Sequence, residues 1–390
     1  MRTALLLPLA FLALSGFAKT EPVATVPFRL VDNRIFIPVM LNGRGPFQMM
    51  FDTGGMNLVH TDYAQRLGLD VEAGADVPGT GGGLVKSGHT RLRELRVGPI
   101  VMRDQPAIVM ANHDGRDVFG TFDFAGLVGR ELMDAYVIRI DYQRRELAFF
   151  DQTYEYAGTG DVLSCDANFN IPVVDARIDG EVARVGLDTG ARTSVILYAG
   201  FLAEHRVRER YQPKYSGITG WGIGGPIRTD LARIGSVTLG RSEIRNPVAR
   251  FTLMKTGLTA GNALAAIVGP GILDRFVMIV DMPRNRVILE KRGDLAKSDV
   301  YDRSGMWIGQ KDANTFTVLD VIAGSPAAQA GFAAGDEIVK VGDAPAARLV
   351  LPDVRERFRT EPDGTVIVMK TRRNGKAIDR RLVLRDYLSG

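Results

Sequence analysis

Two stretches of the chain share one pattern of apolar and polar positions. Residues 37–52 read IPVMLNGRGPFQMMFD and residues 171–188 read IPVVDARIDGEVARVGLD; in each, two β-rich apolar runs flank a polar turn. The turns are Asn42-Gly43 and Asp179-Gly180, residue pairs suited to the positive φ angles of a tight hairpin. Each pattern therefore predicts a β-hairpin whose second strand ends at an Asp-Thr-Gly triplet, at Asp52 in the first case and Asp188, 136 residues later, in the second. Another apolar run follows each triplet. Further on, AGLVGRELMDAYVIRIDYQRRELAFF (125–150) matches AAIVGPGILDRFVMIVDMPRNRVILE (265–290): an apolar pair before a glycine, a short helix-like stretch, then a strand ending in Asp141 or Asp281. Gly129 lies 77 residues after Asp52 and Gly269 lies 81 after Asp188. Gly-rich turns, GTGGGLVKSG (79–88) and GITGWGIGG (217–225), stand at similar places between them. This is an internal duplication of mainly β lobes, spanning residues 25–151 and 165–292.

After a charged segment at 291–299 the pattern changes. Within residues 303–388, AGSPAAQAGFAAGDEIVKVGD places Ser325 as a helix N-cap, Pro326 at the first helical position and Gly331 at the end of a short helix. A strand follows at 337–341 and a second helix at about 353–358. Strands at 365–371 and 379–384 flank an Asn374-Gly375 hairpin. The expected unit is a small β-rich domain with two helices.

Composition narrows the chemistry. A chain of 390 residues exceeds one ordinary domain, and 45% hydrophobic with 24% charged residues is a globular balance. A net charge of +4 without a basic stripe gives no case for nucleic acid. Arg2, the apolar run Ala4 to Leu14 and Gly16-Phe17-Ala18 read as a signal peptide over residues 1–18, so the mature chain is expected to be exported, periplasmic or secreted, without an integral membrane segment. Cys165 is the single cysteine, which excludes an intramolecular disulfide and a Cys-rich metal site. His60, His89, His113 and His205 have no ligand spacing and are expected to pack or lie at the surface. EHRVRERY (204–211) reads as a solvated helix face, and Asp141 and Asp281 as structural turn residues. Gly220, Gly222 and Gly225 satisfy a dinucleotide-loop spacing, but Pro226 stands where the helix should begin, and GTGGG lacks the Lys-Ser/Thr of a phosphate loop.

The duplicated triplet carries the chemistry. Two carboxylates about 3 Å apart cannot both ionise, so they share one proton. The ionised member can draw a proton from water while the protonated one supports a substrate carbonyl, which hydrolyses an amide without metal or covalent nucleophile. Gly54 and Gly190 let backbone N–H groups reach the carboxylates; Thr53 and Thr189 offer hydroxyls to lock the turns together.

On Asp52-Thr53-Gly54, Asp188-Thr189-Gly190 and the segments ending at Gly129 and Gly269, residues 25–292 resemble the aspartic peptidases, in particular bacterial retropepsin-like proteins with both lobes fused as in pepsin-like enzymes. The resemblance implies an aspartic endopeptidase with Asp52 and Asp188 catalytic, no metal or organic cofactor, a peptide or protein substrate, and a flap over it. Flap candidates are Gly81 and Gly82 in one loop and Gly220, Trp221 and Gly222 in the other; the first loop lacks the tyrosine of pepsin-like flaps. Gly55 and Ala191 stand where that family has Ser or Thr, which predicts less depressed carboxyl pKa values. Residues 303–388 resemble a PDZ domain, which implies peptide binding with Gly305, Met306, Trp307 and Ile308 at the carboxylate loop, Trp307 replacing a small residue. Two complete half-sites in one chain favour a monomer. The rival reading is a non-catalytic peptide-binding scaffold on the same fold.

Overall fold

The structure, a computed structural model, describes residues 21–111 and 118–389; the leader-like residues 1–18 and His113 lie outside them. The architecture is mainly β. Asn42-Gly43 and Asp179-Gly180 turn with φ of 50° and 77°, and 54° and 84°, the left-handed conformations a two-residue hairpin needs. They join Arg34–Leu41 to Arg44–Phe51 and Val173–Ile178 to Glu181–Leu187. A strand from the end of each repeat, Gly126–Val128 or Ala266–Val268, then inserts beside the hairpin. It runs parallel to the strand entering Asp-Thr-Gly and antiparallel to the strand leaving it, Leu58–His60 or Val195–Leu197. That inserted strand holds each acidic turn in place: the Asp52 and Asp188 N–H groups donate to the carbonyls of Val128 and Val268, both at 2.9 Å. Gly129 must be glycine, because a Cβ there would collide with the carbonyls of Asp52 and Gly55.

The lobes meet through six antiparallel strands at one end of a fifteen-stranded sheet that continues into the second lobe. Their order is Ala24–Pro27, Glu146–Phe150, Val137–Asp141, Phe276–Asp281, Arg286–Lys291, Asp161–Asp166. The two central strands are repeat-equivalent and pair with each other, Ile138 opposite Val280 and Ile140 opposite Met278, so a pseudo-twofold axis passes between them. One continuous apolar core fills both lobes, from Ile37, Phe51 and Val128 to Leu187, Phe251 and Val268. Asp141 and Asp281 are buried under arginines, Arg139 and Arg292 on one, Arg284 and Arg286 on the other, and close the turns of this sheet.

The C-terminal unit has its own core around Phe316, Ile338, Phe358 and Met369 and a five-strand path from Met306–Asp312 through Thr315–Val321, Glu337–Val341 and Val366–Arg373 to Lys376–Val383. Ser325 Oγ accepts from Ala328 N at 3.3 Å, the expected cap of Pro326–Gln329. The second helix, Leu351–Thr360, begins earlier than the sequence pattern indicates, because Pro352 suits its first turn and Leu351 is buried. Residues 204–211 are not one solvated helix face. Arg206 breaks the segment at φ 47°, Val207 is buried, and Arg208 is bonded to Asp230 and to the carbonyl of Thr252. No helix among the described residues is long and apolar enough to cross a membrane.

Candidate active site

The two hairpins deliver Asp52 and Asp188 to one place. A Cβ on Gly54 would lie 3.1 Å from Asp188 Cγ, and one on Gly190 would strike the Asp52 carboxyl, so each loop's glycine makes room for the other's acid. A side-chain hydrogen bond links the carboxyls. Behind them the threonines lock reciprocally. Thr53 Oγ1 donates to Leu187 O at 2.7 Å and accepts from Thr189 N at 3.0 Å; Thr189 Oγ1 donates to Phe51 O at 2.9 Å and accepts from Thr53 N at 3.0 Å. Both threonines are wholly buried, so every polar atom of this lock has its partner inside the protein.

The carboxyls are not equivalent. Asp52 Oδ1 accepts from Gly54 N at 2.8 Å. Asp188 Oδ1 accepts from both Gly190 N at 2.8 Å and Ala191 N at 3.0 Å. Burial, and then the Asp188 charge, push the Asp52 carboxyl well above the ordinary carboxylate value. Burial also raises Asp188, but the hydrogen bond from Asp52 and the Ala191 and Gly190 N–H groups oppose it. Of the two, Asp188 is therefore the better-stabilised anion. Positions 55 and 191 carry no hydroxyl, and Ala191 contributes only its backbone.

Both Gly-rich loops meet tip to tip. The first is a short hairpin, Val77–Pro78 with Leu84–Val85; Ser87 and Gly88 belong instead to the long strand Ser87–Val97. The second joins Tyr215–Gly222 to Gly225–Arg233. Gly81 N donates to Ile223 O at 2.9 Å, and side chains on Gly79, Gly81 or Gly83 would collide with the backbone of residues 223–225. Gly222 packs on Thr80 in the same way. Gly82 is turned toward Met254, and Gly220 lies over Arg250, so neither sits at the junction. Trp221 is half-buried against an aromatic cluster of Phe36, Phe119 and Phe124 that includes Met50, two residues before Asp52. These phenylalanines gave no sequence signal beyond being apolar.

The C-terminal unit sits against this apparatus. Trp307 is 4% exposed, with the Arg355 guanidinium 3.8 Å above its ring, Arg192 on it at 5.2 Å, and Trp221 stacked alongside at 6.4 Å. Gly305, Met306 and Ile308 are buried as well. Between the strand Met306–Asp312 and the helix Leu351–Thr360 lies the chain's own backbone: a Cβ on Gly120 would touch Gln310 and Leu351, and Arg355 Nη1 donates to Val118 O at 3.2 Å. Asp32 ties the units together. It faces Arg34 at 2.7 Å, Arg192 at 3.0 Å and Arg355 at 3.3 Å, and Arg34 Nε donates to Gly190 O, in the loop that carries Asp188, at 2.8 Å. Burial alone would raise the Asp32 carboxyl, but Arg192, Arg355 and Arg34 outweigh it and hold it below the ordinary value.

Residues 37–132 match the family model of aspartyl proteases, and residues 317–373 match that of the PDZ domain. Among solved structures, the chain is similar to the aspartic proteinase from Irpex lacteus, at 13% identity over 71% of this chain and 99% of that one, with a TM-score of 0.46. No curated protein matches. The chain thus joins an aspartyl protease-like part to a PDZ domain.

Proposed function

We propose that this chain is an aspartic endopeptidase in which Asp52 and Asp188 share one proton and activate water against a peptide bond. The observation that carries the reading is the reciprocal threonine lock, which holds two hydrogen-bonded carboxyls across the lobe junction. Asp188, the better-stabilised anion by its two N–H donors, takes the proton from water as Asp52 gives its own to the substrate carbonyl oxygen. As the C–N bond of the resulting diol breaks, Asp188 passes its proton to the leaving amine nitrogen and Asp52 recovers one from a diol hydroxyl, which restores the starting pair. The touching glycine loops act as paired flaps that part to admit an extended peptide. The PDZ domain serves peptide or partner binding once its own-chain contact at Gly120 is displaced. The enzyme works as a monomer, since one chain supplies both half-sites, and outside the cytoplasm, on the strength of its leader-like opening.

Cleavage of denatured protein tests the reading, with Asp52→Asn and Asp188→Asn as separate controls. Loss of cleavage in both supports it. A chain that retains unfolded protein without cutting it, and is indifferent to both substitutions, is the peptide-binding scaffold instead. N-terminal sequencing of the exported product and mass in solution test the leader and the monomer.

A further inference from the structure

The strand Val248–Thr252 has two faces. Ala249 and Phe251 enter the core of the second lobe, while Val248 packs with Ile322 and Tyr387 of the PDZ domain. Arg250 is on the Val248 side, under that domain, and is 3% exposed. It has no carboxylate partner and no side-chain hydrogen bond among the described residues, and its Nε is a buried orphan. The scaffold does not require it. In the first lobe Leu127 pairs with Leu58 and Leu58 with Ile108; in the second Ile267 pairs with Ile196 and Ile196 with Arg250, so the repeat-equivalent residue is an isoleucine.

A small cavity opens at Arg250 between the second lobe, the linker and the helix Leu351–Thr360, lined also by Arg192, Ser194, Tyr301, Asp302 and Arg359. The positive charge here exceeds the negative. Arg34, Arg192 and Arg355 face the carboxylate of Asp32, and Arg359 is engaged by Glu356. The one other acid at the cavity, Asp302, has its carboxyl raised by burial and accepts from Ser304 and the Gly305 N–H, so five guanidinium groups stand against three acids. Burial pulls the Arg250 guanidinium down to about 10, opposed by Tyr301 and more weakly by Asp32 and aided by Arg192 and Arg34, and it is still protonated at neutral pH. A buried, charged, unpartnered guanidinium is costly unless something outside the chain completes it.

We propose that this cavity is a binding site for a small oxyanion, a phosphate or a carboxylate, held by Arg250 with Arg192 beside it. The planar fork of Arg250 suits two oxygens of such a group. A second cavity shares Arg192, Tyr301 and Asp302 with it and is lined also by Gly305, Met306 and Trp307 of the PDZ loop, so a free anion and a peptide terminus are the two sources the test separates.

The test uses the full chain at low ionic strength, with thermal unfolding and calorimetry against inorganic phosphate, acetate, and a short peptide as free acid and as amide. Sodium chloride at matched ionic strength is the reference. A saturable gain in Tm beyond that of chloride is expected with phosphate or acetate if the ion is free, and with the free acid alone if the source is a peptide terminus. Arg250→Met binds at least about tenfold more weakly, the loss expected for a charged hydrogen-bonding partner. It also unfolds at a higher temperature than wild type when no anion is added, because the unpaired charge is gone. Arg250→Lys, which keeps the charge without the fork, responds in between. A wild-type chain that answers none of these anions more than chloride, or an Arg250→Met chain that answers as wild type does, overturns the site.

Discussion

One additional backbone N–H makes Asp188 the better-stabilised anion of the pair, and that small difference has measurable consequences. Asp52 holds its proton well above the ordinary carboxylate range in the folded chain, whereas in the unfolded chain it ionises near pH 4. A folded pKa raised above the unfolded one contributes stability that is complete below about pH 4 and is lost as pH rises through the folded value. Asp52→Asn has no such dependence. It therefore unfolds at a higher temperature than wild type at pH 7, the gap closing as pH falls toward 4, while cleavage drops by a factor of about 10² to 10⁴. Parallel Tm and rate measurements across pH check both halves. On the proposed mechanism the working form is singly protonated, so the rate is expected to fall on the acid side as Asp188 takes a proton and on the alkaline side as Asp52 loses one. Burial raises both carboxyls and neither neighbouring position offers a hydroxyl, which places the optimum in the mildly acidic to neutral range; a maximum near pH 2, about where a pepsin-type dyad sits, contradicts this. The lock behind the dyad is equally open to test. Thr53→Ala strands the Thr189 N–H in a wholly buried place and costs about 1–3 kcal/mol in urea unfolding, whereas Thr53→Ser, keeping the hydroxyl, restores most of it.

At the scale of elements, the two Gly-rich loops depend on each other's backbone. A methyl at Gly81 meets the carbonyl and nitrogen of Gly225, and neither atom can step aside without opening the tip. Gly81→Ala should raise KM for an extended peptide several-fold with little change in global stability, since the loop carries few buried side chains; Gly43→Ala, strained at φ 77° with nothing near its Cβ, shifts stability without touching KM. Steady-state kinetics beside urea curves separate the two. What could be read in advance follows the same division between local and distant causes. The hairpins, the inserted strands ending at Gly129 and Gly269 and the Ser325 cap rest on residues close together in sequence, so their patterns were legible. The dyad was legible because duplication printed it twice. That Gly79, Gly81 and Gly83 are needed by residues 223–225 was not, because the atoms they avoid belong to the other lobe. Asp32, Arg192 and Arg355 were missed for the same reason: each looks like an ordinary surface charge until the PDZ domain covers them. Gly82 and Gly220 are glycines of the expected loops, yet they face Met254 and Arg250 rather than the opposing tip.

At the scale of the whole molecule, the PDZ domain is held to the protease-like part by the ion pairs Arg228–Asp320 and Arg233–Asp386 and by the buried cluster at Asp32, of which only the last reaches both lobes. Asp32 is 4% exposed and serves Arg34, Arg192 and Arg355, drawn from the first lobe, the second lobe and the PDZ domain in turn. Removing its charge leaves three buried cations facing one another, and breaking such a buried pair by deleting one partner costs about 3–5 kcal/mol. Deleting a single cation while keeping its bulk, as in Arg355→Met, is far milder, because Asp32 retains two partners. The chain contains two tryptophans, Trp221 in the second Gly-rich loop and Trp307 in the PDZ domain, and they stack across this junction. Undocking separates them, so the near-ultraviolet circular dichroism of the pair reports it directly. Asp32→Asn is expected to lose that signal at a lower denaturant concentration than the far-ultraviolet β signal, and Arg355→Met to keep the two coincident. Asp32 has a lowered folded pKa, so its contribution is present above the ordinary carboxylate value and lost as pH falls through the folded one; wild type in acid should then come to resemble Asp32→Asn at neutral pH. Because Arg34 also holds the carbonyl of Gly190, loss of docking reaches the Asp188 loop, and kcat should fall together with the tryptophan signal. Full activity in a chain whose tryptophans have parted would show that the dyad stands without the PDZ domain.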